Sequence, residues 1–101
     1  MIKLGNDLNQ ASEMEMILQI EDEIIVKFCE LNGGMEFAMP IIRKQYEKLN
    51  VDFKKPTKKD LHRITELLIE VTANIKGKIV AKEERKYFND LLIRLENKKK
   101  I

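Results

Sequence analysis

Between Ser12 and Gly33 the chain carries apolar residues in a pattern that only a helix gathers on one side. Met14, Ile17, Leu18, Ile20, Ile24, Ile25, Phe28, Cys29 and Leu31 cover close to half of a wheel at about 100° per residue. The segment opens with Ser12-Glu13-Met14-Glu15, a Ser-x-x-Glu capping box whose hydroxyl and carboxylate satisfy two amides at a helix start. It closes with Asn32-Gly33, residues that readily form a left-handed C-cap. The roughly twenty residues between these signals span about 30 Å as a helix. An apolar face so broad needs neighbours on more than one side.

Three further helices follow from the same signals. One runs from Ala38 or Pro40 to Leu49, with Pro40 in its first turn and Met39, Ile42, Tyr46 and Leu49 on its inner side. Asn50 to Pro56 forms a loop pinned inward by Val51 and Phe53. A third helix starts at Thr57 with Asp60 completing a capping box. It presents Leu61, Ile64, Leu68, Val71 and Ile75 at steps of 3, 4, 3 and 4 before Gly77 ends it. The fourth carries Tyr87, Phe88, Leu91, Leu92 and Leu95, with Glu83 and Glu84 in its first turn. Sustained alternation of period two is missing, so the expected class is all-α: a small four-helix bundle-like domain with a long N-terminal helix, completed by dimerisation.

The chain has 101 residues, which is one domain's worth of core. Residues 1–11 are expected to be a lead-in and residues 97–101 a basic tail. Hydrophobic residues make up 44% and charged residues 36%, enough apolar material for an interior inside a highly charged surface. The longest uncharged apolar runs, such as Ile24-Ile25-Val26, are too short to cross a membrane. Asp7, Glu13 and Glu15 interrupt any signal-peptide core. The single cysteine, Cys29, cannot form an internal disulfide, which suits a reducing compartment, the cytoplasm. Cys29 and the one histidine, His62, are too few for a structural zinc site, and no metal or cofactor is expected. Cys29 lies on an apolar face, Ser12 is the only serine, and no nucleophile–base pair stands out, so no enzymatic activity is expected.

Charge is divided along the chain. Residues 1–37 hold two lysines and eight acids, a net of −6, and residues 38–101 hold 17 bases and 9 acids, a net of +8. An acidic first helix set against the basic remainder, within one subunit or across two, accounts for this division. Glu21 is the odd residue of the first helix, inside an apolar arc with Ile17, Ile24, Ile25 and Phe28. It must pair with a cation, stay protonated, or reach the edge of the bundle.

Ile69 and Ile93 project from charged faces, and Met14, Met16, Met35 and Met39 cluster near one end. Together with the wide first face these suggest a small cytoplasmic interaction protein. It would self-associate as a homodimer through Ile17, Ile20, Glu21, Ile24, Phe28 and Leu31, and another protein is a further partner. The alternative is a polyanion binder, for nucleic acid or phosphate, using Lys54, Lys55, Lys58, Lys59, His62 and Arg63 at the start of the third helix. Against nucleic acid stand the lack of interleaved aromatics and a loop too long for a helix-turn-helix corner. His62, one turn from Glu66, is expected in solvent.

Overall fold

A computed structural model describes the backbone of residues 2–98 and the side chains of residues 13–96. Four helices make up the fold: α1 (Ile2–Leu31), α2 (Met35–Leu49), α3 (Lys58–Lys76) and α4 (Lys78–Lys98). Among the described residues there is no strand.

The helices run up-down-up-down. α1 and α3 are parallel, since Glu13 in the first half of α1 pairs with Lys58 at the start of α3, and Asn32 just past the end of α1 bonds Thr72 near the end of α3. α2 returns antiparallel, with Tyr46 reaching Glu21, and α4 does the same, with Tyr87 beside Lys27 and Arg94 beside Glu23. α1 and α3 touch across the diagonal, and α2 and α4 lie on opposite sides of them. The core between them holds Ile20, Ile24, Phe28, Ile42, Leu61, Ile64, Leu68, Phe88 and Leu95, each at most 1% exposed.

Several helix ends depart from the expectation. α1 begins at Ile2, so Ser12 lies inside a helix and residues 2–11 are not a separate lead-in. A capping box permits a helix start but does not force one. Gln10 and Ala11, strong helix formers, let the helix run through it. At the other end α4 extends to Lys98, and residues 99–101 lie outside the described residues. α2 starts at Met35, three to five residues early, because Gly34 serves as its N-cap and its carbonyl accepts the Ala38 amide at 2.9 Å. Pro40 therefore sits past the first turn, where its missing N–H leaves the Glu36 carbonyl without a helical donor.

α4 likewise starts at Lys78, directly after Gly77, which puts Glu84 in the second turn and leaves no acid in the first. The α3 ends match their signals. Thr57 Oγ1 accepts the Asp60 amide at 3.0 Å, and Asp60 Oδ2 accepts the Thr57 amide at 2.9 Å. Gly77, at φ 98°, donates to the Ala73 carbonyl. In the α1–α2 turn Gly33 takes φ 93° and Gly34 donates to the Cys29 carbonyl at 2.8 Å. That is the left-handed exit the sequence suggests, placed on the glycine and not on Asn32.

Candidate functional site

The six residues assigned to contact with a second copy are mostly inside their own subunit. Ile17 is 8% exposed, Ile20 0%, Glu21 5%, Ile24 1% and Phe28 0%; Leu31 is half-buried. The expectation that one chain cannot cover this face is corrected. α2, α3 and α4 all touch α1, and three neighbours suffice for an arc of half a wheel. Ile69 is also corrected, since at 6% exposed it lies in the core beside the short side chains Ala73 and Ala81 in the α3–α4 groove. Ile93 does face solvent, at 51%. The methionines are split: Met14 and Met16 lie near the start of α3, and Met35 lies at the opposite end of the bundle.

Glu21 has a partner, but not a cation. The Tyr46 hydroxyl donates to Glu21 Oε2 at 2.7 Å. Burial raises the Glu21 pKa, and the Tyr46 hydrogen bond works against that rise. Burial, with the Glu21 carboxylate second, also raises the pKa of Tyr46. The Tyr46 ring stacks on Phe53 with centroids 4.0 Å apart and planes 2° from parallel. Phe53 thus anchors the α2–α3 loop over the Tyr46–Glu21 pair. Cys29 is buried, and burial pushes its thiol pKa up, so it has no thiolate character.

Three of the six residues of the basic cluster lie against acids. Lys58 pairs with Glu13 at 3.1 Å, Arg63 lies 3.8 Å from Asp60, and His62 lies 3.8 Å from Glu96. The Thr57 and Asp60 amides at the helix start are bonded to the capping box. The Asp60 carboxylate thus already occupies part of the α3 N-terminus. Lys54, Lys55 and Lys59 are exposed, with no ion pair among the described residues. His62 is exposed as expected, but Glu66 goes instead to Arg85, which donates two hydrogen bonds to it at 2.7 and 3.1 Å.

The more distinctive region is the end of the bundle formed by the α1–α2 turn and the single-residue α3–α4 connection at Gly77. The two are held side by side by Asn32, whose Nδ2 donates to the Thr72 hydroxyl and to the Phe28 carbonyl, both at 3.0 Å. It exposes four large apolar side chains: Met35 is 62% exposed, Phe37 57%, Ile75 46% and Ile79 78%. Phe37 folds back against Gly33, whose added Cβ would lie 3.2 Å from the ring. Charged residues rim this end in two halves. Glu30 and Glu36 are exposed on the α1–α2 side, and Lys76 and Lys78 on the α3–α4 side.

Beneath this surface lies a buried polar cluster. Glu84 is 1% exposed, Asn32 1% and Thr72 0%. Both Glu84 carboxyl oxygens and Asn32 Oδ1 lack a hydrogen-bond partner. Burial pushes the Glu84 carboxyl up to about 7, against the pull of the Thr72 hydroxyl and the Lys27 ammonium. The seam Ala81, Glu84, Phe88, Leu91, Leu95 repeats at 3, 4, 3 and 4. Extending the α4 stripe by one turn toward the N-terminus reaches Glu84 in the sequence. Asn32 carried a cap signal that masked its tertiary role.

Among the described residues no group of three or more His, Cys, Asp or Glu is placed to hold a metal ion, and no helix is long and apolar enough to cross a membrane. The chain matches no known family model, no curated protein and no solved structure.

Proposed function

We propose that this chain is a small helical protein-interaction module of the cytoplasm that pairs with a second copy of itself, end to end. Four large apolar side chains, Met35, Phe37, Ile75 and Ile79, stand 46–78% exposed at one end of the bundle, and this observation carries the reading. Clustered exposed apolar residues with a charged rim mark contact surfaces more than scattered ones do.

A second copy fits because the rim is self-complementary. A two-fold axis across this end sets the α1–α2 half of one copy over the α3–α4 half of the other, bringing Glu30 and Glu36 opposite Lys76 and Lys78. The patch is small, so the pairing is weak and rises with concentration. Cys29, a buried free thiol, suits a reducing compartment. A polyanion-binding role would rest on Lys54, Lys55 and Lys59 alone and is the lesser reading.

Sedimentation over a wide concentration range tests the pairing. The wild type moves from monomer to dimer, and F37S combined with I79S stays monomeric. E36K weakens the dimer and K78E on the same chain restores it. A wild type that stays monomeric at millimolar concentration overturns the proposal.

A further inference from the structure

We propose that Glu84, Asn32 and Thr72 form a proton-held latch under the apolar end of the bundle, closed when the Glu84 carboxyl carries a proton and loosened when it ionises. The placement of three side chains carries the inference. Glu84 comes from α4, Thr72 from α3 and Asn32 from the α1–α2 turn, so the cluster joins three of the four helices where their connections meet.

With Glu84 ionised, the cluster holds three unpartnered acceptor oxygens and one uncommitted donor, the Thr72 hydroxyl. Asn32 Nδ2 spends its two hydrogens on the Phe28 carbonyl and Thr72 Oγ1. That assignment is fixed, because turning the amide over would set its oxygen against the Phe28 carbonyl oxygen. Asn32 Oδ1 is then an acceptor with nothing to accept, as are both oxygens of Glu84. An ionised Glu84 adds no donor to a group of buried acceptors, an arrangement costly in a dry interior. A protonated Glu84 supplies an O–H in place of one of those acceptors, and the Thr72 hydroxyl, which lies beside the carboxyl, is free to serve its other oxygen. One proton thus removes an orphaned acceptor and adds a donor to a cluster that the carboxylate leaves unsatisfied.

Charged groups around Glu84 do not replace that proton. From α1 the group whose field reaches it is Lys27, and this ammonium sits 4.7 Å from the Tyr87 ring centroid, engaged with the aromatic face. α3 presents the neutral Thr72. α2 does not pack against α4. Burial therefore prevails, and the carboxyl titrates near neutral pH instead of in the ordinary carboxylate range.

Ionisation has a local consequence. A charged Glu84 gains by drawing water toward the Asn32–Thr72 junction, which is the tie between the two connections of this end. The α1–α2 turn and the end of α3 then open more often, while the Tyr46–Glu21 region at the other end is undisturbed. The latch does not depend on end-to-end pairing, since its titration belongs to the single chain.

Carbon-13 NMR of the Glu84 carboxyl tests it directly. A midpoint near 7 is expected, with Glu21 resolved as the internal comparison. Between pH 5 and pH 8 the folding constant of the wild type should fall about 70-fold relative to E84Q, the ratio set by a carboxyl moving from 4.5 to about 7. Hydrogen exchange over residues 32–38 and 73–81, corrected for intrinsic rates, should speed up at pH 8 in the wild type and not in E84Q. A midpoint in the ordinary carboxylate range, equal pH slopes for the two proteins, or an exchange pattern indifferent to pH would each overturn the latch.

Discussion

Two glutamates are buried in this bundle, and their surroundings differ in one respect. Glu21, 5% exposed on α1, accepts a hydrogen bond of 2.7 Å from Tyr46, itself braced by Phe53. Glu84, 1% exposed on α4, accepts no hydrogen bond on either oxygen and has only the neutral Thr72 hydroxyl as a nearby side-chain donor. Both interrupt an apolar seam and both have a raised pKa, with burial as the first cause. The difference teaches that burial sets the direction of the shift, while the donors within reach decide whether the charged form is tolerated. Glu21 is a structural carboxylate held in place, and Glu84 is one whose proton matters.

The largest expected effect comes from removing the second case altogether. Glu84→Leu should stabilise the protein by about 2.5 kcal/mol more at pH 8 than at pH 5, measured by urea unfolding at both values. The sign follows from linkage. Below about 4.5 both folded and unfolded states bind the proton and nothing is lost. Between about 4.5 and about 7 the unfolded chain has lost a proton that the native state still holds, so wild-type stability declines across that window and levels off once the native carboxyl ionises. An equal gain at both pH values would make the two glutamates alike.

Next in size is the attempt to turn Glu21 into a second Glu84. Tyr46→Phe removes its donor and should cost about 1–3 kcal/mol, the range for leaving a buried polar group unsatisfied. The loss should be larger at pH 8 than at pH 5, because the Glu21 pKa rises further without the Tyr46 bond. A loss independent of pH would show that Glu21 finds water once Tyr46 no longer serves it.

Thr72→Val should cost about 1 kcal/mol, since Asn32 Nδ2 keeps the Phe28 carbonyl but loses its second acceptor. It should also move the Glu84 midpoint upward, as the hydroxyl favours the carboxylate. Smallest is Arg94→Ala. Its pair with Glu23 lies at the surface, with Arg94 53% exposed, and should contribute less than about 0.5 kcal/mol by thermal unfolding.

Much of this arrangement is visible in local sequence. The α3 boundaries were legible because Thr57, Asp60 and Gly77 act on backbone groups no more than four residues away. The inner faces of α1 and α2 were legible from spacing, including the inward turn of Val51 and Phe53. The Ser12 box misled because the same motif fits inside a helix when its flanks are strong helix formers. A helical wheel puts Ile69 on the charged face because it holds no information that α4 meets α3 beside Ala81, where Ile69 is covered. The candidate site was harder still. Glu84 and Thr72 are ordinary polar residues on their own helices, and only their convergence with Asn32 makes them a cluster.

The order of residues along the chain determined four helices, most of their inner faces and several of their ends, since period and cap chemistry operate within a turn or two of backbone. Tertiary structure decided the rest: that three neighbours cover α1 without help from a second chain, that Glu21 meets a tyrosine and not a cation, and that both Glu84 oxygens are left without a hydrogen bond. Those outcomes depend on which faces of different helices are brought together. Burial and hydrogen-bond partners are properties of that packing and not of any one segment.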